Sequence, residues 1–170
     1  MVSALLPLAP LVAGVLAAAV LDVASFTIPN RLTAALALVF LPAALFAHLP
    51  WGVIGACALT GAVALLVGVG LFAAGWCGGG DAKLIAACAL WLGWRAMLPF
   101  LLFTSLAGGL LALVILVGRR ATPPAVVAAG PPWLGRLLGP EKHLPYGVAI
   151  AVGALAALTS SPFLAALKHL

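Results

Sequence analysis

The chain has 170 residues, of which 66% are hydrophobic and only 6% are charged. A typical soluble domain is about 45–50% apolar and about 25% charged, so this composition excludes a soluble monomer, a disordered tail and a cytosolic nucleotide-binding domain. The formal net charge is +5, but the longest basic cluster is the pair Arg119-Arg120. We therefore predict that the basic residues face the head groups of membrane lipids and that the chain binds no nucleic acid.

A membrane-spanning helix needs about 20 mostly apolar residues. Six apolar runs occur in chain order, at residues 4–26, 31–49, 51–75, 81–97, 97–118 and 146–165. The fourth run is the weakest, because Arg95 and Pro99 leave little room before the fifth begins. The pattern predicts an all-α polytopic membrane protein with about six transmembrane helices and a single membrane-embedded domain over residues 1–170.

Basic residues predict the orientation, because cytoplasmic loops of membrane proteins carry an excess of Lys and Arg. One side of the six-helix arrangement holds six basic residues, and the other side holds two. The larger group consists of Arg31, Lys83, Arg119, Arg120, Arg136 and Lys142, and the smaller group of Arg95 and Lys168. We therefore expect both chain termini to lie outside. Tryptophans prefer the two interfaces, and here Trp51, Trp91 and Trp94 are predicted near the outer boundary, with Trp76 and Trp133 near the inner one.

Two acidic residues lie in or at the ends of apolar runs, where an ionisable side chain is costly and suggests a functional site. Asp22 lies about one turn before the end of the first run, and Asp81 opens the fourth run after three glycines. The second and third runs form a complete hairpin between them, so both carboxylates must face the same side of the membrane. Two simpler readings stay open: Asp81 as a helix N-cap, and Asp22 as an interfacial residue partnered by Ser25, Thr27 or Arg31.

A pair of carboxylates can hydrolyse a peptide bond without a metal ion, a cofactor or a nucleophilic side chain. When the two groups are close, one stays protonated as the general acid and the other is ionised as the general base. Gly78, Gly79 and Gly80 have no side chain to obstruct a substrate, and their backbone groups can pair with an extended peptide. The three cysteines form no CxxC pair, which excludes the usual zinc spacings and a disulfide framework.

Three blocks of the sequence together resemble the prepilin peptidases, the GxGD-type aspartic proteases of bacterial membranes. They are Asp22 with Ile28-Pro29-Asn30, then Gly78-Gly79-Gly80-Asp81-Ala82-Lys83-Leu84, then Pro145-Tyr146-Gly147-Val148-Ala149-Ile150-Ala151. The resemblance implies a protein of the bacterial inner membrane that removes the short basic leader of prepilin or pseudopilin precursors. It also implies cleavage at the cytoplasmic face, just before the hydrophobic segment of the substrate. Asp22 and Asp81 would be the catalytic pair.

The same resemblance indicates residues that shape the site. Pro29 and Asn30 would end the first helix just past Asp22, and Pro145, Tyr146 and Gly147 would shape the start of the last helix. Lys83 follows Asp81 by two positions, so a helix directs it largely away from that carboxylate. The compact chain is most similar to the peptidases of tight-adherence (Flp) pilus systems. The larger relatives that also N-methylate the new pilin terminus carry a loop with paired CxxC cysteines, so methylation is not expected here.

Two functions from other classes remain open on the sequence alone. Intramembrane carboxylates and glycine-broken helices also occur in transporters and proton-relay subunits, although their sites usually lie near the bilayer midplane. A non-catalytic assembly protein of a secretion system is the second alternative, and it would not need both acids.

Overall fold

The computed structural model describes residues 6–123, 127, 129–138 and 144–167, and within these residues every regular element is a helix. In chain order the helices are α1 Ala9–Ser25, α2 Asn30–Phe46, α3 Trp51–Ala73, α4 Gly79–Ala121, α5 Pro132–Leu138, α6 Tyr146–Ala157 and α7 Pro162–Leu167. Short 3-10 turns cover Leu6–Leu8 before α1 and Leu158–Ser160 between α6 and α7. The expected all-α fold is confirmed.

Four described helical stretches are long and apolar enough to cross a membrane. They are Leu6–Ser25, Trp51–Ala73, Gly79–Ala121 and Tyr146–Ala166, and the shorter apolar helix α2 accompanies them. Together they confirm a multi-pass membrane protein. The predicted loop 119–145 contains the short helix α5. Two basic residues that were counted in the prediction of the orientation, Lys142 and Lys168, lie outside the described residues, as does Glu141. The side chains of Trp133 and Arg136 also lie outside them.

Helix α4 joins the predicted fourth and fifth helices, and Gly93 divides it into two limbs, residues 79–92 and 94–121. Gly93 has φ 66° and ψ 174°, which is not a helical conformation. The expected boundary at residue 97 is therefore wrong, because residue 97 lies inside the second limb together with Arg95 and Pro99. Proline removes one N–H donor and kinks a helix, whereas a glycine at positive φ lets the backbone turn away from the helix axis altogether.

The first limb of α4 packs antiparallel against α3 through small residues. A Cβ built on Gly68 would lie 3.0 Å from the Cβ of Ala82, and one on Gly61 would lie 2.9 Å from the Cβ of Leu90. Such short distances show that the backbones approach closely, as small residues allow in membrane helices. The first limb therefore leads from Asp81 to the far end of the bundle, where Gly93 lies.

The second limb leads back toward the end where the chain entered α4. A Cβ on Gly153 of α6 would overlap with Thr104 Oγ1. A Cβ on Gly108 would lie 2.6 Å from the Tyr146 hydroxyl oxygen. Residues 104 and 108 thus pair with residues 153 and 146, which is an antiparallel arrangement. Since Tyr146 directly precedes a residue that binds Asp22, the chain reverses at Gly93 and returns to the depth of the aspartates.

An aromatic cluster fixes the end of the bundle that is remote from the aspartates. The rings of Trp91 and Phe163 stack with centroids 5.4 Å apart, and Phe40 lies edge-on to both. The indole N–H of Trp91 donates a hydrogen bond to the backbone carbonyl of Leu36 at 2.9 Å. Trp91 lies at the end of the bundle where it was expected, but it is fully buried among helices and does not face the head groups. A run of apolar residues does not reveal which indole faces lipid and which faces another helix.

Candidate active site

Asp22 lies in the last turn of α1 and is only 5% exposed. The backbone N–H of Gly147, near the start of α6, donates a hydrogen bond to Asp22 Oδ2 at 2.6 Å. A Cβ on Gly147 would lie 2.9 Å from that oxygen and 3.0 Å from the Cβ of Asp22, so the carboxylate fits only because residue 147 has no side chain. The positive end of the α6 dipole therefore faces the Asp22 carboxylate.

The polar residues that follow Asp22 bond to the backbone instead of to its carboxylate. The Ser25 hydroxyl donates to the carbonyl of Leu21 at 2.8 Å, and the Thr27 hydroxyl donates to the carbonyl of Ser25 at 3.1 Å. Helix α1 ends at Ser25, and its C-cap Phe26 has the left-handed φ of 51° and donates its N–H to the Asp22 carbonyl at 2.7 Å. The expectation that Pro29 and Asn30 end this helix is therefore wrong, because the chain leaves it at Phe26 and those two residues begin α2. The partner of the Asp22 side chain is thus the α6 backbone and not an interfacial hydroxyl group.

Asp81 is the third residue of α4, and the N-cap of this helix is Gly78. The simple reading of Asp81 as an N-cap is therefore wrong. Its carboxylate instead accepts a hydrogen bond from the backbone N–H of Gly78, which is the reverse half of a capping box. A Cβ on Gly78 would lie 2.7 Å from Asp81 Oδ2, so this contact also requires glycine.

The two carboxylates lie close enough for their charges to interact, although they are 59 positions apart in the chain. Asp81 is half-buried and Asp22 is buried. The charge of Asp81 also reaches Cys77, in the turn before α4. Burial, and to a lesser extent this charge, raise the pKa of the Cys77 thiol above its ordinary value. The structure therefore brings Asp22, Asp81 and Cys77 together at one end of the bundle, which we call the aspartate end.

The triple glycine does not form an extended segment. Only Gly78 is extended, with φ −68° and ψ 141°, whereas Gly79 and Gly80 form the first turn of α4. The expectation that all three pair with a substrate like a strand is wrong, because helical residues direct their carbonyls along the helix axis. Instead, a Cβ on Gly80 would lie 3.2 Å from the Ile28 Cβ, so this glycine lets the segment before α2 pack on α4.

The remaining site residues lie around this pair. The Lys83 ammonium donates a hydrogen bond to Asn30 Oδ1 at 2.8 Å, and both side chains are exposed. Pro29 is the N-cap of α2, with extended φ and ψ angles, and Pro145 is the N-cap of α6 and is buried. The hydrogen bond between Lys83 and Asn30 connects α4 to α2. The partner of Lys83 is therefore Asn30, and the partner of the Asp81 carboxylate is the Gly78 backbone.

The amino-acid sequence matches the profile of the type IV leader peptidase family over residues 9–113, a range that contains both aspartates. The chain belongs to this family. It is also similar to a prepilin leader peptidase/N-methyltransferase from Pectobacterium carotovorum subsp. carotovorum, with 36% identity over 120 residues. That alignment covers 68% of this chain and 43% of the relative, so the chain spans less than half of the relative's length. No solved structure matches it.

In this type IV leader peptidase family member, sequence reasoning missed one contact that positions α6. Tyr146 packs its hydroxyl group against Gly108 on the second limb of α4, and the next residue, Gly147, binds Asp22. The pair Gly108-Gly109 inside an apolar run is the only signal in the sequence, and it does not identify a partner. The contact places the start of α6 beside the end of α1.

Proposed function

We propose that this chain is an aspartic endopeptidase that removes the short basic leader of type IV prepilin or pseudopilin precursors. The observation that supports this most directly is the pair of carboxylates at the aspartate end. They come from two different helices, interact through their charges, and each accepts a hydrogen bond from a backbone N–H group. Membership of the type IV leader peptidase family supports prepilin-like precursors as the substrates.

The proposed reaction is general acid–base hydrolysis in which the pair shares one proton. The ionised carboxylate takes a proton from water as the water oxygen attacks the carbonyl carbon of the scissile peptide bond. The protonated carboxyl donates its proton to the carbonyl oxygen and forms a tetrahedral intermediate. When the C–N bond breaks, the carboxyl that was protonated by the water gives its proton to the leaving nitrogen. A hydroxyl of the intermediate gives a proton to the other carboxylate as the new carboxyl product forms, so the pair again holds one proton.

Both carboxylates are held by backbone amides, which supports their roles as fixed groups. An N–H donor on each carboxylate orients one oxygen and leaves the second oxygen free for water or for the partner carboxyl. The donors are the N-cap residue of α4 and the second residue of α6, and the dipoles of both helices favour negative charge at this point. Such an arrangement retains one negative charge in the pair while the second carboxyl holds the proton.

The test is cleavage of a purified prepilin by the Asp22→Asn and Asp81→Asn variants in detergent or proteoliposomes. Each variant should lose about 10²–10⁴-fold in cleavage rate, because Asn keeps the shape of the side chain but cannot transfer the proton. In both variants the amide oxygen of Asn can still accept the backbone N–H group, so the thermal unfolding midpoint should stay close to that of the parent protein. Near-normal cleavage by the Asp81→Asn variant would assign Asp81 a purely structural role at the start of α4.

The pH dependence tests whether the two carboxyls act together. Cleavage should follow a bell-shaped profile, since the pair is inactive when both groups are protonated and again when both are ionised. The two apparent pKa values of this profile belong to the pair and not to either residue. A rate that rises to a plateau with a single transition would show that only one of the carboxyls takes part.

We also propose that the aspartate end faces the cytoplasm from the inner membrane of a bacterial cell. Arg31, Lys83, Arg119 and Arg120 lie near this end, whereas Arg95 lies beside the turn at Gly93. Because basic residues collect on the cytoplasmic side of membrane proteins, their excess at the aspartate end favours a cytoplasmic position for the aspartates. Single cysteines at positions 31 and 119, in a cysteine-free background, should react with an impermeant maleimide only from the cytoplasmic side. Labelling only from the outer side would reverse the orientation.

We further propose that the chain is a compact peptidase of the tight-adherence (Flp) pilus type, which cleaves its substrate without methylating the product. Two of the three cysteines, Cys57 and Cys88, are buried in α3 and α4, and Cys77 lies beside Asp81. None of these positions belongs to a CxxC pair. Incubation with prepilin and S-adenosylmethionine should give a mature product with the unmethylated mass. A product heavier by one methyl group would contradict this part of the proposal.

A further inference from the structure

A cavity of about 810 Å³ opens at the end of the bundle opposite the aspartates. It lies between the turn that joins α2 to α3, the start of the second limb of α4, and the turn that joins α6 to α7. Sites for small molecules usually measure about 300–1,000 Å³. None of the residues in the proposed peptidase site lines this cavity, so the proposed function leaves it unexplained.

The lining of the cavity is divided into a polar rim and an apolar floor. The side chains of His48, Arg95 and Ser160 are exposed at the rim. Cys57 and Leu92 form part of the floor and are 2% and 0% exposed. A polar rim above an apolar floor is complementary to an amphiphile, which has a polar head and a hydrocarbon tail.

The charge at the rim is positive, and no described carboxylate lies beside it. Arg95 makes no hydrogen bond or ion pair with any described residue. The acidic residues in the described part of the chain are Asp22 and Asp81, and both lie at the aspartate end. A guanidinium group with no carboxylate partner among the described residues is suited to bind phosphate, which it can contact through two parallel N–H donors.

Two tryptophans indicate the depth of the cavity in the membrane. Trp51 and Trp94 are 72% and 74% exposed; Trp94 itself lines the cavity, and Trp51 directly adjoins the lining residue Gly52. Exposed indoles collect at the level of the lipid head groups. The rim therefore lies at head-group depth, and the floor extends toward the hydrocarbon.

We propose that this cavity binds an anionic phospholipid. Its phosphate contacts Arg95, and the first part of one acyl chain covers Cys57 and Leu92. Hydroxyl groups at Thr159 and Ser160 are available to the remaining oxygens of the head group. An anionic phospholipid is indicated by the positive charge of Arg95, the apolar floor and the depth of the rim. This assignment does not depend on the reaction at the aspartate end.

The first test measures lipid preference by native mass spectrometry of the purified protein. The parent should bind phosphatidylglycerol about tenfold or more tightly than phosphatidylcholine of the same chain length, because choline adds a positive charge beside Arg95. The Arg95→Gln variant should lose most of this preference. Arg120→Gln is the matched control, because Arg120 is an exposed arginine near the opposite end of the same helix. Equal binding of the two lipids by the parent would overturn the proposal.

The second test fills the cavity without disturbing the charge. Gly52 lines the cavity and Gly55 does not, and a Cβ on either meets nothing within 4 Å. Gly52→Leu should reduce phosphatidylglycerol binding about tenfold or more, whereas Gly55→Leu should leave it unchanged. Equal effects of the two variants would show that the lipid lies on the general surface of α3 and not in the cavity.

A third measurement separates a lipid from a free anion. Inorganic phosphate at millimolar concentration should not displace phosphatidylglycerol, since the apolar floor contributes to binding only through the acyl chain. Displacement by inorganic phosphate would identify a simple anion site and would contradict the proposal.

Discussion

The two ends of this helical bundle use glycine for different purposes. At the aspartate end, Gly78 and Gly147 bring backbone N–H groups within reach of two carboxylates, because a side chain at either position would collide with them. At the opposite end, Gly93 adopts a positive φ and allows α4 to reverse. The first use positions charged groups, whereas the second determines the path of the chain.

The two ends also differ in what their buried groups contribute. The aspartate end holds a buried acid beside a half-buried one, and the opposite end holds the packed cluster of Trp91, Phe40 and Phe163. A buried charge costs stability and is retained for function, whereas a buried aromatic cluster contributes stability. Substitutions at the first end should therefore change activity, and substitutions at the second should change stability.

The largest effect in this comparison is expected from Gly147→Ala. The new Cβ would lie 2.9 Å from Asp22 Oδ2, so either the carboxylate or the start of α6 must shift. We expect kcat to fall by about 10²-fold, the loss associated with a misplacement of about 1 Å, with little change in KM. The matched control is Gly109→Ala, where a Cβ meets nothing within 4 Å. Equal rates for the two variants would show that the Gly147 contact does not position Asp22.

The largest effect at the other end should be on stability. Trp91→Phe removes the hydrogen bond to the Leu36 carbonyl and part of a stacked ring. The free energy of unfolding should fall by about 1–3 kcal/mol, measured by denaturant unfolding in detergent. Cleavage per folded molecule should be retained, because Trp91 is remote from both aspartates. A loss of cleavage without a loss of stability would show that the two ends are coupled.

A smaller effect links the charge of Asp81 to a neighbouring thiol. Burial and the Asp81 charge both raise the pKa of Cys77, so the thiolate fraction at neutral pH is below that of an ordinary cysteine. In the Asp81→Asn variant this charge is absent, the pKa of Cys77 falls, and alkylation by iodoacetamide should become faster. The increase should be less than about tenfold, since one pKa unit changes the thiolate fraction tenfold.

The measurement is the alkylation rate of Cys77 by peptide mass spectrometry at several pH values. Cys57 and Cys88 are buried and serve as internal controls. If the rate at Cys77 is the same with and without the carboxylate, Asp81 does not act on this thiol, and the two groups are farther apart than the structure places them.

The smallest effect is expected from Lys83→Ala. Its ammonium binds Asn30, and both side chains are exposed, so the ion contributes little to the aspartate pair. We expect cleavage to fall by no more than about threefold, corresponding to less than about 1 kcal/mol. A loss as large as that of the Asp81→Asn variant, with folding intact, would place Lys83 in the catalytic machinery.

The sequence alone was sufficient for the membrane class, the all-α fold, the family and the placement of Asp22 and Asp81 on one side. These follow from local or topological properties. Apolar run lengths predict spanning helices, and an even number of crossings between two residues places them on the same side. The spacing of Asp81 and Lys83 on one helix also predicted that the lysine side chain points away from the carboxylate.

Tertiary structure decided which groups touch. The partner of Asp22 is a backbone N–H 125 positions away, and no side-chain pattern can identify a backbone donor. The same holds for the reversal at Gly93, which the apolar runs placed at residue 97. It also holds for Trp91, whose indole packs against other helices and not against the head groups. Apolar residues in a membrane protein face either lipid or another helix with similar ease, so only the packing of the whole bundle distinguishes the two.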